Sequence, residues 1–202
     1  MTLHTDHRPV LSAVEALAQG RPVLITGPDA GTVVLAAATA STTAVVWAVR
    51  HTCGLLRAAV EPVRADALRL PLMGGTDRER RGNLQTVAVD GAGTGTGISA
   101  AARATTLRML ADPGTAPEDL VVPGHVLVEL VGTEPCPSTA GAVAQAAVRL
   151  CDRAGLAPVA ALAEVVDDAG EPMGPAGLRA LADRHSVPLI SVSDLRTEGF
   201  CS

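Results

Sequence analysis

The segment Gln85-Thr-Val-Ala-Val89 is apolar, the turn Gly91-Ala-Gly-Thr-Gly-Thr-Gly97 follows it, and residues 99–110 then repeat apolar side chains at helical spacing. A strand that runs through a glycine-rich turn into a helix commits a chain to an α/β arrangement. The strand has to pair in a sheet, and the helix has to bury its apolar stripe on that sheet. The same alternation runs along the whole sequence. Helical spacing appears at 11–18, 42–49, 63–70, 99–110, 140–154 and 175–184. Strand-like runs appear at 22–25, 32–37, 54–59, 85–89, 125–131, 158–166 and 188–191. No linker or repeat interrupts them. The sequence therefore predicts one α/β sandwich domain with a mixed sheet over residues 11–198, after an N-terminal tail over 1–10. One Trp, one Phe and no Tyr leave the core to be built from Ala, Val and Leu.

Composition removes several classes of function. Hydrophobic residues make up 48% of 202 and charged ones 18%, the balance of a folded chain. A net charge of −5 opposes phosphate-backbone binding, and the shortage of aromatic rings opposes base stacking, so no nucleic-acid partner is expected. All 16 basic residues are Arg, which leaves no lysine for a Schiff base. Cys53, Cys136, Cys151 and Cys201 form no C-x-x-C pair, and the first residues are polar, with His4, Asp6, His7 and Arg8. Reduced thiols and a cytoplasmic location are the expectation. Residues 30–49 carry no charge over 20 positions, but Thr32, Thr39, Thr42 and Thr43 lie among them and Ser41 reads as a helix N-cap. A buried strand and an internal helix are expected there, not a membrane span.

The glycine turn does not have dinucleotide-binding spacing, because Thr96 and Ile98 stand where the third glycine would be needed. It does supply a helix start with Thr94, Thr96 and Ser99. That start either holds an anion or is simply capped by Ser99. His51 and His125 are far apart and neither has a carboxylate at helical spacing, so no metal site follows from the histidines. His185 follows Arg184 at a helix end, where a positive imidazolium suits the dipole. Glu164 closes an apolar strand, either at an exposed tip or aimed into a pocket that raises its pKa. Cys53 reads as a nucleophile or as an inert thiol. Arg78-Glu-Arg-Arg81 reads as a solvated loop.

Seven segments in order resemble the 3,4-dihydroxy-2-butanone 4-phosphate synthase family, the riboflavin-pathway lyases that act on ribulose 5-phosphate. They are Val14-Glu-Ala-Leu-Ala-Gln-Gly-Arg-Pro-Val23, Arg50-His51 with Gly54, Leu70-Pro-Leu-Met73, Thr96-Gly-Ile-Ser-Ala100 with Arg103, Pro123-Gly-His125, Ala154-Gly155, and Glu164. The resemblance spans roughly residues 11–195. It implies the family fold and a homodimer whose pocket lies at the subunit interface, with the residue matching His125 supplied by the partner chain.

The family's chemistry-bearing segments are missing. Its acidic loop, which carries a magnesium-binding glutamate, corresponds here to Thr26-Gly-Pro-Asp-Ala-Gly-Thr32, with Asp29 the sole charge. Its metal- and phosphate-binding motif falls on Thr139-Ala-Gly-Ala-Val-Ala-Gln-Ala146, so that Val143 replaces the metal histidine and Ala140 the phosphate arginine. Ala102 stands where an aspartate is expected before Arg103. No metal and no cofactor are therefore expected. The predicted protein carries out metal-independent acid–base chemistry, as a lyase, isomerase or cyclase of specialised metabolism, on a weakly polar small molecule. Glu164 and His125 would move protons, Arg50 or His51 would assist, and Thr94, Thr96, Ser99, Arg103, Cys53, Thr139 and Val143 would contact substrate. Two alternatives stay open: a non-catalytic binding or scaffold homodimer, and an authentic riboflavin-pathway synthase acting on ribulose 5-phosphate.

Overall fold

One mixed sheet organises the molecule. The computed structural model describes residues 8–27, 30–74, 84–132 and 139–200. The strands are β1 (Val23–Thr26), β2 (Gly31–Ala36), β3 (Arg57–Val60), β4 (Leu84–Gln85), β5 (Val89–Gly91), β6 (Leu120–Leu130), β7 (Val159–Glu164) and β8 (Leu189–Ser191). The sheet order is β4-β6-β3-β7-β2-β1-β8, with β5 paired to β6 off this path. Pairings of β1 with β8 and of β3 with β6 are parallel, while β1–β2, β2–β7, β3–β7, β4–β6 and β5–β6 are antiparallel. The predicted single-domain α/β architecture with a mixed sheet is what the chain adopts.

Helices cover both faces because alternate strand residues point to opposite sides. Leu24, Val33, Leu35, Ala58, Val60 and Ala161 pack on one side, under α2 (Thr42–Arg50), α4 (Ala100–Ala111) and α6 (Pro175–His185). Short α3 (Pro62–Ala67) starts on a proline and packs there too. Val23, Ile25, Val34, Ala36, Ala59, Ala160 and Leu162 pack on the other side, under α1 (Arg8–Ala18), α5 (Thr139–Arg153) and α7 (Val192–Thr197). Central strands with small apolar side chains on both faces are buried end to end, as β2 is along all of its length.

Several boundaries differ from expectation. Helix α1 begins at Arg8, inside the predicted tail. The single strand predicted at 85–89 is two short ones, β4 and β5, between which Thr86 bridges to Leu72. Strand β6 starts at Leu120, five residues before the predicted 125, because Val122-Pro-Gly-His125 bulges outward while the pairing with β5 resumes at Val121. Helix α7 was not predicted, although Ser191 and Asp194 form the capping box that starts it. The segment 30–49 is strand β2, a short turn and α2, whose N-cap Ser41 accepts a hydrogen bond from Ala44 N–H. Among the described residues no helix is long and apolar enough to cross a membrane.

Candidate functional site

Two charged centres sit at strand positions. In the first, Arg57 on β3 lies between carboxylates from both neighbouring strands. Its Nη1 donates to Glu129 Oε2 of β6 at 2.9 Å, and its Nη2 donates to Glu164 Oε1 at the end of β7. Alternation puts all three on the face that α5 covers. The side chains grade from interior to surface: Glu129 is 2% exposed, Arg57 14% and Glu164 36%. Burial pushes the Glu129 carboxyl above the usual range, and the Arg57 charge opposes that rise. Arg57 Nε and Glu129 Oε1 are buried without a hydrogen-bond partner among the described residues. Glu164 is thus a strand-end carboxylate with one oxygen tied to a guanidinium and an edge open to solvent. The Cys53 N–H donates to the Glu164 carbonyl at 2.9 Å, which brings exposed Cys53 to the same strand end.

The second centre is His125 with Asp90. Asp90 Oδ1 accepts the His125 main-chain N–H at 2.9 Å, and Oδ2 lies 2.7 Å from Nδ1. Asp90 is 7% exposed, whereas the His125 side chain is 41% exposed. Arg103 links the two regions. It is 7% exposed, faces the Asp90 charge, and donates from Nη1 to the Gly54 carbonyl at 3.0 Å, next to Cys53. Burial lowers its pKa from the ordinary arginine value and Asp90 opposes that. Among the described residues no hydrogen bond or ion pair joins Glu164 to His125.

The other predicted site residues take more local roles. Ser99 caps α4 by accepting from Ala102 N–H at 3.0 Å, and the Thr94 hydroxyl donates to the Gly91 carbonyl at 2.7 Å, which closes the glycine turn. Thr96 is exposed in that turn. Arg50 is exposed in the last turn of α2. The His51 ring packs at a tilt against Trp47, 4.8 Å between centroids, and against His185, 4.7 Å between centroids. Burial, then the charges of His185, Arg184 and Arg50, lower its pKa. Trp47 and His185 also line a surface cavity of about 290 Å³ with Ser41 and Thr43.

Val143, expected at a substrate-contacting wall, is instead 5% exposed and packed in the α5 core with Ala142 and Ala144. The apolar stripe of α5 has to face the sheet, and these residues lie on it. The expected substrate contact at Val143 is therefore corrected. Thr139 begins the α5 backbone, but its side chain and that of Ala140 lie outside the described residues, as do Asp29, the loop at 78–81, Cys136 and Cys201.

Arg57, Glu129 and Asp90 were not singled out from the sequence. The available signal was one charge set within each of the apolar runs Leu55-Leu-Arg-Ala-Ala-Val60 and Val126-Leu-Val-Glu-Leu130. Opposite charges in two buried strands have to find each other.

A hard divalent cation needs several unengaged oxygen ligands. Among the described residues no group of three His, Cys, Asp or Glu is placed to hold a metal. The carboxylates that do converge, Glu129 and Glu164, already share a guanidinium. Between β1 and β2 the Gly27 N–H donates to the Ala30 carbonyl at 2.9 Å. Among the described residues, this donor set does not fit magnesium.

Comparison with known proteins gives a consistent picture. The family model described as 3,4-dihydroxy-2-butanone 4-phosphate synthase matches residues 11–198. Riboflavin biosynthesis protein RibBA of Salinispora arenicola is 38% identical over 202 residues, covering 95% of this chain and 46% of that one. The chain thus spans about half the length of the curated relatives it matches. A crystal structure of 3,4-dihydroxy-2-butanone 4-phosphate synthase of Candida albicans superposes with a TM-score of 0.83 at 30% identity, covering 94% of this chain and 96% of that one. A structure of such a synthase in complex with two magnesium ions gives a TM-score of 0.83 at 31% identity, with 92% and 94% covered.

Proposed function

The chain belongs to the 3,4-dihydroxy-2-butanone 4-phosphate synthase family, and from that premise we propose that it is a small-molecule enzyme of that family, a lyase whose first substrate to test is ribulose 5-phosphate. The observation that carries the reading is the presentation of Glu164 in a fold shared with these enzymes along nearly the whole chain. Likeness to riboflavin-pathway relatives supports this reading better than the isomerase, cyclase or specialised-metabolism readings, for which the comparisons offer nothing.

The chain's own residues suit proton transfer next to a carbonyl. The solvent-facing edge of Glu164 accepts a proton from carbon, and the electron pair moves to the carbonyl oxygen as an enolate. Protonation neutralises Glu164 and leaves the Arg57 guanidinium less compensated, so that its charge becomes available to the new oxyanion. His125 returns or removes the second proton. A positioned acid–base group of this kind contributes ~10²–10⁴ in rate.

One observation favours a second reading, in which this chemistry runs without a metal on a different substrate: Val143 is buried in the core and Arg57 occupies the converging carboxylates. Formate release from ribulose 5-phosphate, with and without EDTA, separates the two. Turnover supports the lyase reading. Its abolition by EDTA would place a metal site in the residues at 28–29 or 133–138, and resistance to EDTA would mean that the chain's own groups suffice. No turnover, with thermal stabilisation by free carboxylic acids instead of sugar phosphates, would favour the retargeted enzyme. A scaffold would tolerate Glu164→Gln and fail on charge reversal at Arg80 and Arg81.

A further inference from the structure

Both carboxylate oxygens of Asp90 are committed to one residue. Oδ1 holds the His125 backbone N–H and Oδ2 holds Nδ1, at 2.9 and 2.7 Å. The backbone comes close around the pair at two glycines. A Cβ at Gly97, where φ is +75°, would lie 1.9 Å from Asp90 Oδ2, and a Cβ at Gly124 would lie 2.0 Å from the Val89 carbonyl carbon. The irregularity between Val89 and Asp90 lets the segment before His125 bulge over the shorter strand, so the imidazole returns directly above the carboxylate. The buried Arg103 charge faces Asp90 from α4, which favours the ionised carboxylate. An ionised carboxylate only accepts hydrogen bonds. Its partner Nδ1 therefore carries the hydrogen, and the lone pair of the neutral ring is on Nε2.

We propose that Asp90 is a positioning residue that locks neutral His125 in its Nδ1–H tautomer, making Nε2 the atom through which His125 exchanges protons. The identity of the proton donor rests on the function proposed above; the tautomer does not. When Nε2 takes a proton, the ring becomes imidazolium, Nδ1–H stays on the ring against the Asp90 carboxylate, and the reverse step returns the proton from Nε2. Asp90 itself stays ionised and touches no reacting atom.

The test uses the full chain labelled with ¹⁵N-histidine. A long-range ¹H–¹⁵N correlation spectrum is recorded at about pH 8, where an ordinary imidazole with a pKa near 6.5 is neutral, and His125 is assigned by its loss in His125→Gln. The expected wild-type pattern is Nδ1–H with an unprotonated Nε2. In Asp90→Asn the carboxamide N–H donates to Nδ1, and the pattern should invert to Nε2–H while the His51 and His185 signals hold. On ribulose 5-phosphate, Asp90→Asn should lower kcat by ~10²-fold or more, the size of an acid–base contribution, with little change in KM. A wild-type Nε2–H pattern, or an unchanged pattern in a folded Asp90→Asn, would overturn the proposal. Should that variant fail to fold, the wild-type spectrum decides by itself. Absence of formate from the wild type counts against the lyase reading alone, because the tautomer is read without substrate.

Discussion

At the residue scale, the charged centre on the α5 face combines stability and chemistry in the same side chains. Removing one member of a buried ion pair leaves the other charged and unsolvated, which costs roughly 3–5 kcal/mol. Arg57→Leu should therefore lose about that much in urea unfolding, since Glu129 is 2% exposed. Arg57→Leu combined with Glu129→Leu should recover most of the loss, because the buried carboxylate is then gone and the Glu164 that loses its partner is 36% exposed to water. Thiol chemistry divides the same way. The Cys151 thiol is buried, and burial pushes it up to about 12, whereas Cys53 is exposed. Peptide-level mass spectrometry should find Cys53 alkylated in the native protein and Cys151 only after unfolding. His51 gives a pH dependence of known sign. Its folded pKa is below the ordinary histidine value of 6.5, so between the two values the unfolded chain binds more protons and stability rises with pH. Urea midpoints should fall as pH drops through 6.5 in the wild type, and His51→Gln should flatten that slope. Glu164 was legible as a candidate because it closes an apolar strand, and His125 only through the resemblance that Pro123-Gly-His125 carries. Arg57, Glu129 and Asp90 were not, because their partners lie 107, 72 and 35 residues away along the chain.

At the element scale, local chemistry set most of the starts and stops. Ser41 and Ser99 were readable as caps, and both accept the hydrogen bonds that their positions call for. Ser99→Ala should cost about 1 kcal/mol in thermal or urea melts, the usual value of a lost N-cap. Thr106 binds the centre to its helix more deeply: its hydroxyl accepts Gly91 N–H at 2.8 Å and donates to the Ala102 carbonyl, with no exposure. Thr106→Val would strand that buried N–H at a cost of about 1–3 kcal/mol and loosen β5 against α4. Loss of hydrogen-exchange protection at Gly91, with α1 and α5 unaffected, would show it. Strands β4, β5 and β6 departed from expectation because a long-range partner overrides periodicity. Strand β6 runs through Pro123 because the bulge moves the proline off the ladder, and no local pattern announces a bulge.

At the scale of the whole molecule, apolar side chains are left exposed around the His125 centre: Ile98 at 53%, Val121 at 49% and Val122 at 50%. We propose that a second copy of the chain covers this face. Light scattering at micromolar concentration should give twice the chain mass, and Val121→Asp with Val122→Asp should return the monomer while leaving the unfolding midpoint of the isolated chain nearly unchanged. The sequence by itself determined the α/β class, the order of most elements, the helix caps and the position of Glu164 at a strand end. These follow from periodicity and local hydrogen bonding, whose range is a few residues. Only the tertiary structure decided what surrounds those positions. It paired β3 with β6 and β7, which gave Glu164 a guanidinium neighbour and a buried second carboxylate. It placed Asp90 under His125, and it turned Val143 from an expected pocket wall into core. Strand order and register are fixed by the packing of both sheet faces at once, and the sum of those contacts, not any local stretch, selects which distant side chains meet.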